Sequence, residues 1–273
     1  MIALSTSAPA FAKMFVYELG SVTDVAVSAG IELGLRCGAG NELRIEAESE
    51  DAFEFDNRAG RFELSRGGTW LSPWSQSSGP VTARAVVPSL PKSFEVSSVA
   101  GVRLAHCVSS GADLAAELGS GSRLQMEDLN GAFRRMSMDV LSGSKFSLDA
   151  RVVLEQADLT VSSGGLLHIG DAAVVKETTV QIYSGAVAEL CGANGVVSGA
   201  VSSGGRLDIG AQTQAQELEL SSGGTARADC WSIKIKAVPL RLPPPLYCCK
   251  GKEVISRLQP QQSQPAGTVK TRF

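Results

Sequence analysis

The side chains best placed to do chemistry stand at one repeated position, four residues after a recurring glycine corner. This position holds Arg103, Gln125, Ser147, His168, Glu189, Asp208 and Arg227. If each repeat is one coil of a stack, equivalent side chains lie about 5 Å apart on neighbouring strands. The imidazole of His168 with the carboxylates of Glu189 and Asp208 could then bind a divalent metal. The two carboxylates could instead form an acid and base pair on an elongated face, as in polysaccharide-cleaving β-helices.

The same three residues have a simpler interpretation, which we prefer. They form a solvated face on which His168 and Arg227 offset the two carboxylates. A flat column lacks the enclosed pocket that shifts pKa values at catalytic sites. We therefore assign no catalytic, cofactor-binding or metal-binding residue, and we expect no cofactor.

Short catalytic and nucleotide-binding motifs do not occur. The sequence contains no G-x-S-x-G elbow, no H-E-x-x-H pair, no P-loop, and no G-x-G-x-x-G between a strand and a helix. It has only two histidines, His106 and His168, so few Ser-His-Asp or Cys-His sets can form. The sequence thus favours a protein that is not an enzyme.

The glycine corner belongs to an internal repeat with a Ser-Gly signal. One anchor residue per copy gives Val99, Gly121, Gly143, Gly164, Gly185, Gly204 and Gly223. Successive anchors are 22, 22, 21, 21, 19 and 19 residues apart. The first copy is degenerate, because Ser98-Val99 replaces Ser-Gly. Glycine suits such a corner because it adopts a positive φ at low cost.

Apolar and polar residues alternate on both sides of every anchor, as in strands with one buried face. The apolar residues three before the anchors are Val96, Leu118, Val140, Val161, Ile182, Val201 and Leu220. Those three after are Val102, Leu124, Phe146, Leu167, Ala188, Leu207 and Ala226. The constant phase predicts an all-β, single-stranded β-solenoid with about 20 residues per coil, since stacked coils align like residues in columns. A sandwich of β-hairpins is the main rival.

The sequence outside the repeat divides the chain into three parts. Residues 1–20 are expected to be an unstructured leader, which lacks the positive region of a convincing signal peptide. Residues 21–238 are expected to form the solenoid, with irregular first coils, regular coils from about 94 to 230, and a capping strand at Trp231 to Ile235. Residues 239–273 are rich in proline and glutamine and are expected to be a disordered tail.

Cysteine usage and charge exclude several other classes. The six cysteines are Cys37, Cys107, Cys191, Cys230, Cys248 and Cys249. They form no C-x-x-C pair, so we expect buried free thiols and no zinc site. The net charge is −3 and the basic residues are scattered without a patch, so we expect no nucleic-acid partner. No apolar run of about 18 residues is present, so we expect no transmembrane segment.

From about Val25 to Cys230 the order of elements resembles the putative auto-transporter adhesin, head GIN domain family. The features that carry the resemblance are an opening strand pair (Ile31 to Ala47), a proline-flanked lead-in (Val86 to Pro88, then Phe94 to Val96) and V-S-S-G-G-x-L-x-I units, clearest at Val161 to Ile169 and Val201 to Ile209. The resemblance implies a β-helical body and a surface or adhesive role. The family carries no catalytic residues to transfer.

We therefore predict a non-enzymatic, structural or adhesion-like solenoid that presents an extended β face. Its location is expected to be extracellular or on the cell surface, from the family resemblance, and its partner a glycan or a cell-surface protein. Two alternatives stay open. One is a carbohydrate-active β-helix enzyme that uses outward carboxylates such as Glu189 and Asp208. The other is an intracellular, non-catalytic protein with unpaired cysteines.

Overall fold

The computed structural model describes residues 12–67, 79–228 and 230. Within these residues the chain forms nineteen β-strands and one short 3-10 turn at Glu50–Ala52. The predicted all-β fold class is confirmed. None of the described segments is a helix long and apolar enough to cross a membrane.

The strands follow one another through short corners. The first nine are β1 (Lys13–Glu18), β2 (Asp24–Val27), β3 (Glu32–Cys37), β4 (Glu42–Ala47), β5 (Phe53–Arg58), β6 (Arg61–Arg66), β7 (Thr82–Val87), β8 (Ser93–Val96) and β9 (Gly101–Ala105). The others are β10 (Val108–Leu118), β11 (Arg123–Val140), β12 (Lys145–Val161), β13 (Leu166–Ile169), β14 (Val174–Ile182), β15 (Val187–Leu190), β16 (Ala193–Val201), β17 (Arg206–Ile209), β18 (Gln214–Leu220) and β19 (Thr225–Arg227).

From β8 onward the strands pair in parallel with their counterparts on neighbouring coils. Strand β10 lies between β8 and β11, and the start of β11 lies between β9 and β12. Because β-hairpins would require antiparallel neighbours, this pairing excludes the hairpin sandwich for these coils. The curled sheet is a β-solenoid of about 6 turns, as the repeat predicts.

The register of the pairing is the one that the anchors predict. The column three residues before the corner pairs in the order Val96, Leu118, Val140, Val161, Ile182, Val201 and Leu220. The column three after pairs in the order Val102, Leu124, Phe146, Leu167, Ala188, Leu207 and Ala226. All members of both columns except the last are buried. The inner side of the solenoid is therefore a continuous apolar core.

Each corner joins two faces of the solenoid. We call the sheet after the corner the first face; its strand order is β1, β4, β7, β3, β9, β11, β12, β13, β15, β17 and β19, with β11 and β12 contributing their N-terminal parts. We call the sheet before the corner the second face; its order is β5, β6, β2, β8, β10, β11, β12, β14, β16 and β18.

The corners themselves stack through backbone hydrogen bonds. Both corner residues adopt positive φ, as Ser142 (52°) and Gly143 (72°) illustrate, which is the requirement of a tight type I′ turn. The Gly143 N–H donates to the Ser163 carbonyl of the next coil at 3.0 Å. The same bond runs from Gly30 to Ser98 at 2.9 Å. Ala29-Gly30 is therefore one more corner of the same stack, which the Ser-Gly signal did not reveal.

At two of the corners, the serine that follows the glycine points its side chain inward. Ser122 donates its hydroxyl to the Val96 carbonyl at 2.7 Å, and Ser144 donates to the Leu118 carbonyl at 2.9 Å. Both serines are fully buried. Each hydroxyl thus ties its corner to the strand of the previous coil and satisfies a buried carbonyl.

The N-terminal strands close one end of the solenoid. Strand β1 pairs antiparallel with β4, and β5 pairs antiparallel with β6. Phe15 and Phe53 lie 5.3 Å apart between ring centroids, and Tyr17 and Phe55 lie 5.0 Å apart. Alternate side chains of residues 13–18, Phe15 and Tyr17, thus pack on the rings of Phe53 and Phe55, and the segment forms a strand. This corrects the unstructured leader expected over residues 1–20. Residues 1–11 lie outside the described chain.

Two disulfides correct the expectation of free thiols. Cys37 pairs with Cys107, and Cys191 pairs with Cys230, with Cα–Cα distances of 4.9 and 5.3 Å. Cys37 and Cys107 meet because β3 and β9, far apart in sequence, are neighbours in the first face. The expected capping strand at residues 231–235, the tail at 239–273 and the other two cysteines lie outside the described residues.

Candidate functional site

The predicted column lies on the outer side of the first face, in the predicted order. Ser147 pairs with His168, His168 with Glu189, and Glu189 with Asp208. Parallel pairing places these residues on adjacent strands about 5 Å apart. The structure therefore brings the predicted residues together, although their contacts divide them into two groups.

His168 bridges two carboxylates from its neighbouring coils. Its Nδ1 lies 3.0 Å from a Glu189 carboxylate oxygen, and its Nε2 lies 3.5 Å from Oδ1 of Asp149. Ser147 donates its hydroxyl to the other oxygen of Asp149 at 2.6 Å. Asp149 was missed because it stands two residues beyond the column, although strand alternation places it on the same outer side. The cluster is a network of polar contacts at the surface.

Asp208 belongs to a separate pair with Arg206. The Arg206 guanidinium lies two residues earlier on the same side of β17, and its Nε donates to Asp208 at 2.8 Å. Only 8% of the Asp208 side chain is exposed. The hydrogen bond from Arg206, and then the charge of Asp208, raise the pKa of Arg206. The expectation that Asp208 presents an outward carboxylate is therefore corrected, because Arg206 covers and neutralises it.

The surface around the column is open and shallow. A surface depression of about 260 Å³ runs beside it, with the exposed Leu166 and the half-buried Val187 between Lys145 and Glu189. Within residues 12–67, 79–228 and 230, no three histidine, cysteine or acidic side chains converge to hold a metal ion. The site offers an apolar strip with a charged border, a surface suited to contact with a partner.

The N-terminal half of the first face carries a cluster of arginines. Strands β4, β7, β3 and β9 place Arg44, Arg84, Arg36 and Arg103 on the same outer side, around a depression of about 520 Å³. These residues are scattered in the sequence because their strands are adjacent in space but not in sequence order. The acidic side chains of Glu42 and Glu46 line the same depression, and Glu42 is paired with Arg44.

The fold is a β-solenoid whose stacked strands present an extended outer face. The sequence profile of the putative auto-transporter adhesin, head GIN domain family matches residues 22–232. The chain belongs to this family, as the resemblance of its repeats predicts. None of the curated proteins matches the chain.

Several solved structures have a similar fold. A putative adhesin from Parabacteroides merdae has a TM-score of 0.57 and 13% identity, over 80% of this chain and 96% of that one. A putative adhesin from Bacteroides fragilis has a TM-score of 0.59 and 13% identity, over 79% and 95%. A putative lipid binding protein from Parabacteroides distasonis has a TM-score of 0.59 and 8% identity, over 80% and 97%. At these identities the likeness shows the shared fold.

Proposed function

We propose that the chain is a non-enzymatic adhesion module that works outside the cell and binds a glycan or a protein of another surface through its first face. One observation carries the proposal. A single unbroken row of outward residues crosses eleven paired strands, from Val16 on β1 to Arg227 on β19. At about 4.8 Å per strand the row is roughly 48 Å long. Such a surface suits extended contact with a partner.

The contacts that Glu189 and Asp208 make support a binding role over the alternative of a carbohydrate-active enzyme. Glu189 is held by His168, and Asp208 is covered by Arg206. Glycoside cleavage by two carboxyl groups needs both of them open to the same sugar. The connections between β8 and β19 are two to four residues long, so they provide no long loops to wall a groove along the face.

The two disulfides support a location outside the cell over the intracellular alternative. Structural disulfides persist in oxidising compartments and are rare in the reducing cytosol. The bond between Cys37 and Cys107 ties the first coils, and the bond between Cys191 and Cys230 ties the last ones. Both ends of the described solenoid are therefore suited to an oxidising environment.

The test measures binding of the labelled full chain to a glycan array and to intact cells. Leu166→Glu places a charge at the exposed apolar centre of the first face, whereas Val108→Glu makes the same change at an exposed position off that face. We expect Leu166→Glu to weaken binding about fivefold or more and Val108→Glu to leave it unchanged. Absence of any binding by the unmodified chain, or equal loss in both variants, would overturn the proposal.

A further inference from the structure

We infer that the arginine cluster on the N-terminal half of the first face is an anion site for an acidic glycan, a saccharide that carries sulfate or carboxylate groups. The site consists of Arg36, Arg84 and Arg103 around Gly34. This inference rests on the proposed adhesive function, and it names the class of ligand and the place where it binds.

A glycine provides the floor of the site. Gly34 pairs with Arg84 on one side and with Arg103 on the other, so it separates two arginines on flanking strands. A Cβ built on Gly34 would have the Ala83 carbonyl oxygen at 3.9 Å and the Arg84 side chain at 4.0 Å as its nearest neighbours. The space above Gly34 is therefore open, and long side chains border it from both flanking strands.

The three arginines keep their charges available. Arg36, Arg84 and Arg103 are exposed, and within the described chain none of them forms an ion pair with a carboxylate. The polar partner of Arg103 is the neutral amide oxygen of Gln125, at 3.4 Å. Other surface arginines do have acidic partners: Arg44, Arg58, Arg61, Arg123, Arg134, Arg135 and Arg206.

An anion would relieve the unfavourable arrangement of these charges. Arg36 on β3 is the diagonal cross-strand neighbour of both Arg84 and Arg103, and like charges so placed repel each other. A guanidinium group donates two parallel hydrogen bonds to a sulfate or carboxylate, and such charge-assisted bonds are about twice as strong as neutral ones. One acidic group seated above Gly34 would lie between the guanidinium groups of Arg84 and Arg103.

The surroundings favour an acidic saccharide over a nucleic acid. The lining contains no phenylalanine, tyrosine or tryptophan ring on which a base could stack, and its one ring is the imidazole of His106. The carboxylates of Glu42 and Glu46 border the arginines, which keeps the positive strip short, whereas nucleic-acid binding depends on many phosphate contacts. The depression measures about 520 Å³, within the range of sites for small ligands, and Met14 and Ala105 give it apolar edges.

Calorimetric titration of the full chain tests the site. The probes are a sulfated heparin oligosaccharide, a carboxylated oligogalacturonate and a neutral malto-oligosaccharide, each at low and at raised salt. We expect the acidic probes to bind, more weakly as salt rises, and the neutral one not to bind. The variant Arg84→Gln/Arg103→Gln should weaken binding about tenfold or more. The control Arg58→Gln/Arg151→Gln removes the same charge from exposed positions elsewhere and should change affinity less than about twofold.

A second variant tests the open space above Gly34 without changing the charge of the site. Gly34→Val adds a side chain that the strand accommodates, so the melting temperature should not fall. We expect it to weaken binding of the acidic probes about fivefold or more by filling the space between the arginines. Equal affinity in Arg84→Gln/Arg103→Gln, or no binding of acidic probes by the unmodified chain, would overturn the inference. Tighter binding of an oligothymidylate than of both acidic saccharides would also overturn it, in favour of a nucleic acid. The adhesive proposal would stand in these cases if cell or array binding still depended on Leu166.

Discussion

The two ends of the solenoid are built differently. At the N-terminal end the parallel repeat stops, and antiparallel strands with an aromatic cluster cover the inner columns. At the other end β18 and β19 continue the parallel repeat. In the inner column three residues before the corner, Val201 is buried, whereas Leu220 on the next coil is 51% exposed. A repeat cannot close its own core, so closure requires strands that depart from it. We expect the N-terminal coils to be the more stable part.

The largest expected effect comes from breaking the closed end. Phe62 is fully buried and its ring lies 5.5 Å from that of Phe55. We expect Phe62→Ala to lower the free energy of unfolding by about 3–5 kcal/mol, because it leaves a cavity under the antiparallel strands. Leu220→Ala, near the C-terminal end of the described coils, should cost less than about 1 kcal/mol. Urea denaturation of both variants measures the difference, and equal losses would contradict the comparison.

The disulfide that ties the last described coils should matter next. Removing it by Cys191→Ala/Cys230→Ala releases a loop of 39 residues. The loop-closure entropy predicts a loss of about 3–4 kcal/mol in the stability of the last coils. Hydrogen exchange should then accelerate in β17 to β19 and stay unchanged in β2 and β3. Cys37→Ala/Cys107→Ala is the control, and it should show the reverse distribution.

The corner at Val99 differs from the later corners, and the expected difference in the free energy of unfolding is smaller. Val99 is a β-branched residue with φ of 66° and an exposed side chain, at a position where later corners have glycine. We expect Val99→Gly to raise the free energy of unfolding by about 1 kcal/mol, because a left-handed conformation strains a β-branched residue. Gly143→Val is the matched reversal: a Cβ there meets no atom within 4 Å, so its loss of stability reports backbone strain alone. A lower free energy of unfolding in Val99→Gly would contradict the claim that Val99 strains the backbone of its corner.

The smallest effect depends on pH and lies near the closed end. Hydrogen bonds from Ser93 and then from Thr23 hold the pKa of the Asp24 carboxyl below its usual value. A lowered pKa in the folded state means that Asp24 stabilises the fold above the unfolded pKa of about 3.9, and that this contribution disappears as pH falls below it. Asp24→Asn should cost about 1 kcal/mol at neutral pH. The difference from the unmodified protein should shrink as pH falls below about 3.9, as urea titrations at a series of pH values would show.

The sequence was informative where neighbours in space repeat at a fixed distance along the chain. The Ser-Gly anchors and their apolar flanks predicted the inner columns, and they predicted the order of Ser147, His168 and Glu189 on the outer side. The contacts that decide chemistry were less visible. Arg206 covers Asp208 from two residues away on the same strand, a choice of side-chain conformation that spacing does not encode.

The irregular coils were less predictable for a topological reason. Between β3 and β8 the chain forms β4 to β7, and β6 and β7 stack in parallel on the other side of β2 and β3, so residues that meet there are not one period apart. This insertion concealed the corner at Ala29-Gly30, the disulfide between Cys37 and Cys107, and the arginines around Gly34. The part of the face that we propose for anion binding is thus the part that only the structure assembles.

Carboxyl footprinting tests most directly the claim that the first face binds the partner. Both faces carry exposed acids, with Glu32 and Asp149 on the first and Glu117 and Asp139 on the second. The full chain would be labelled with a carbodiimide, free and bound to target cells or an acidic glycan, and read by mass spectrometry. The account predicts that labelling of Glu32 and Asp149 falls on binding while Glu117 and Asp139 stay unchanged. Protection of Glu117 and Asp139 alone would contradict it.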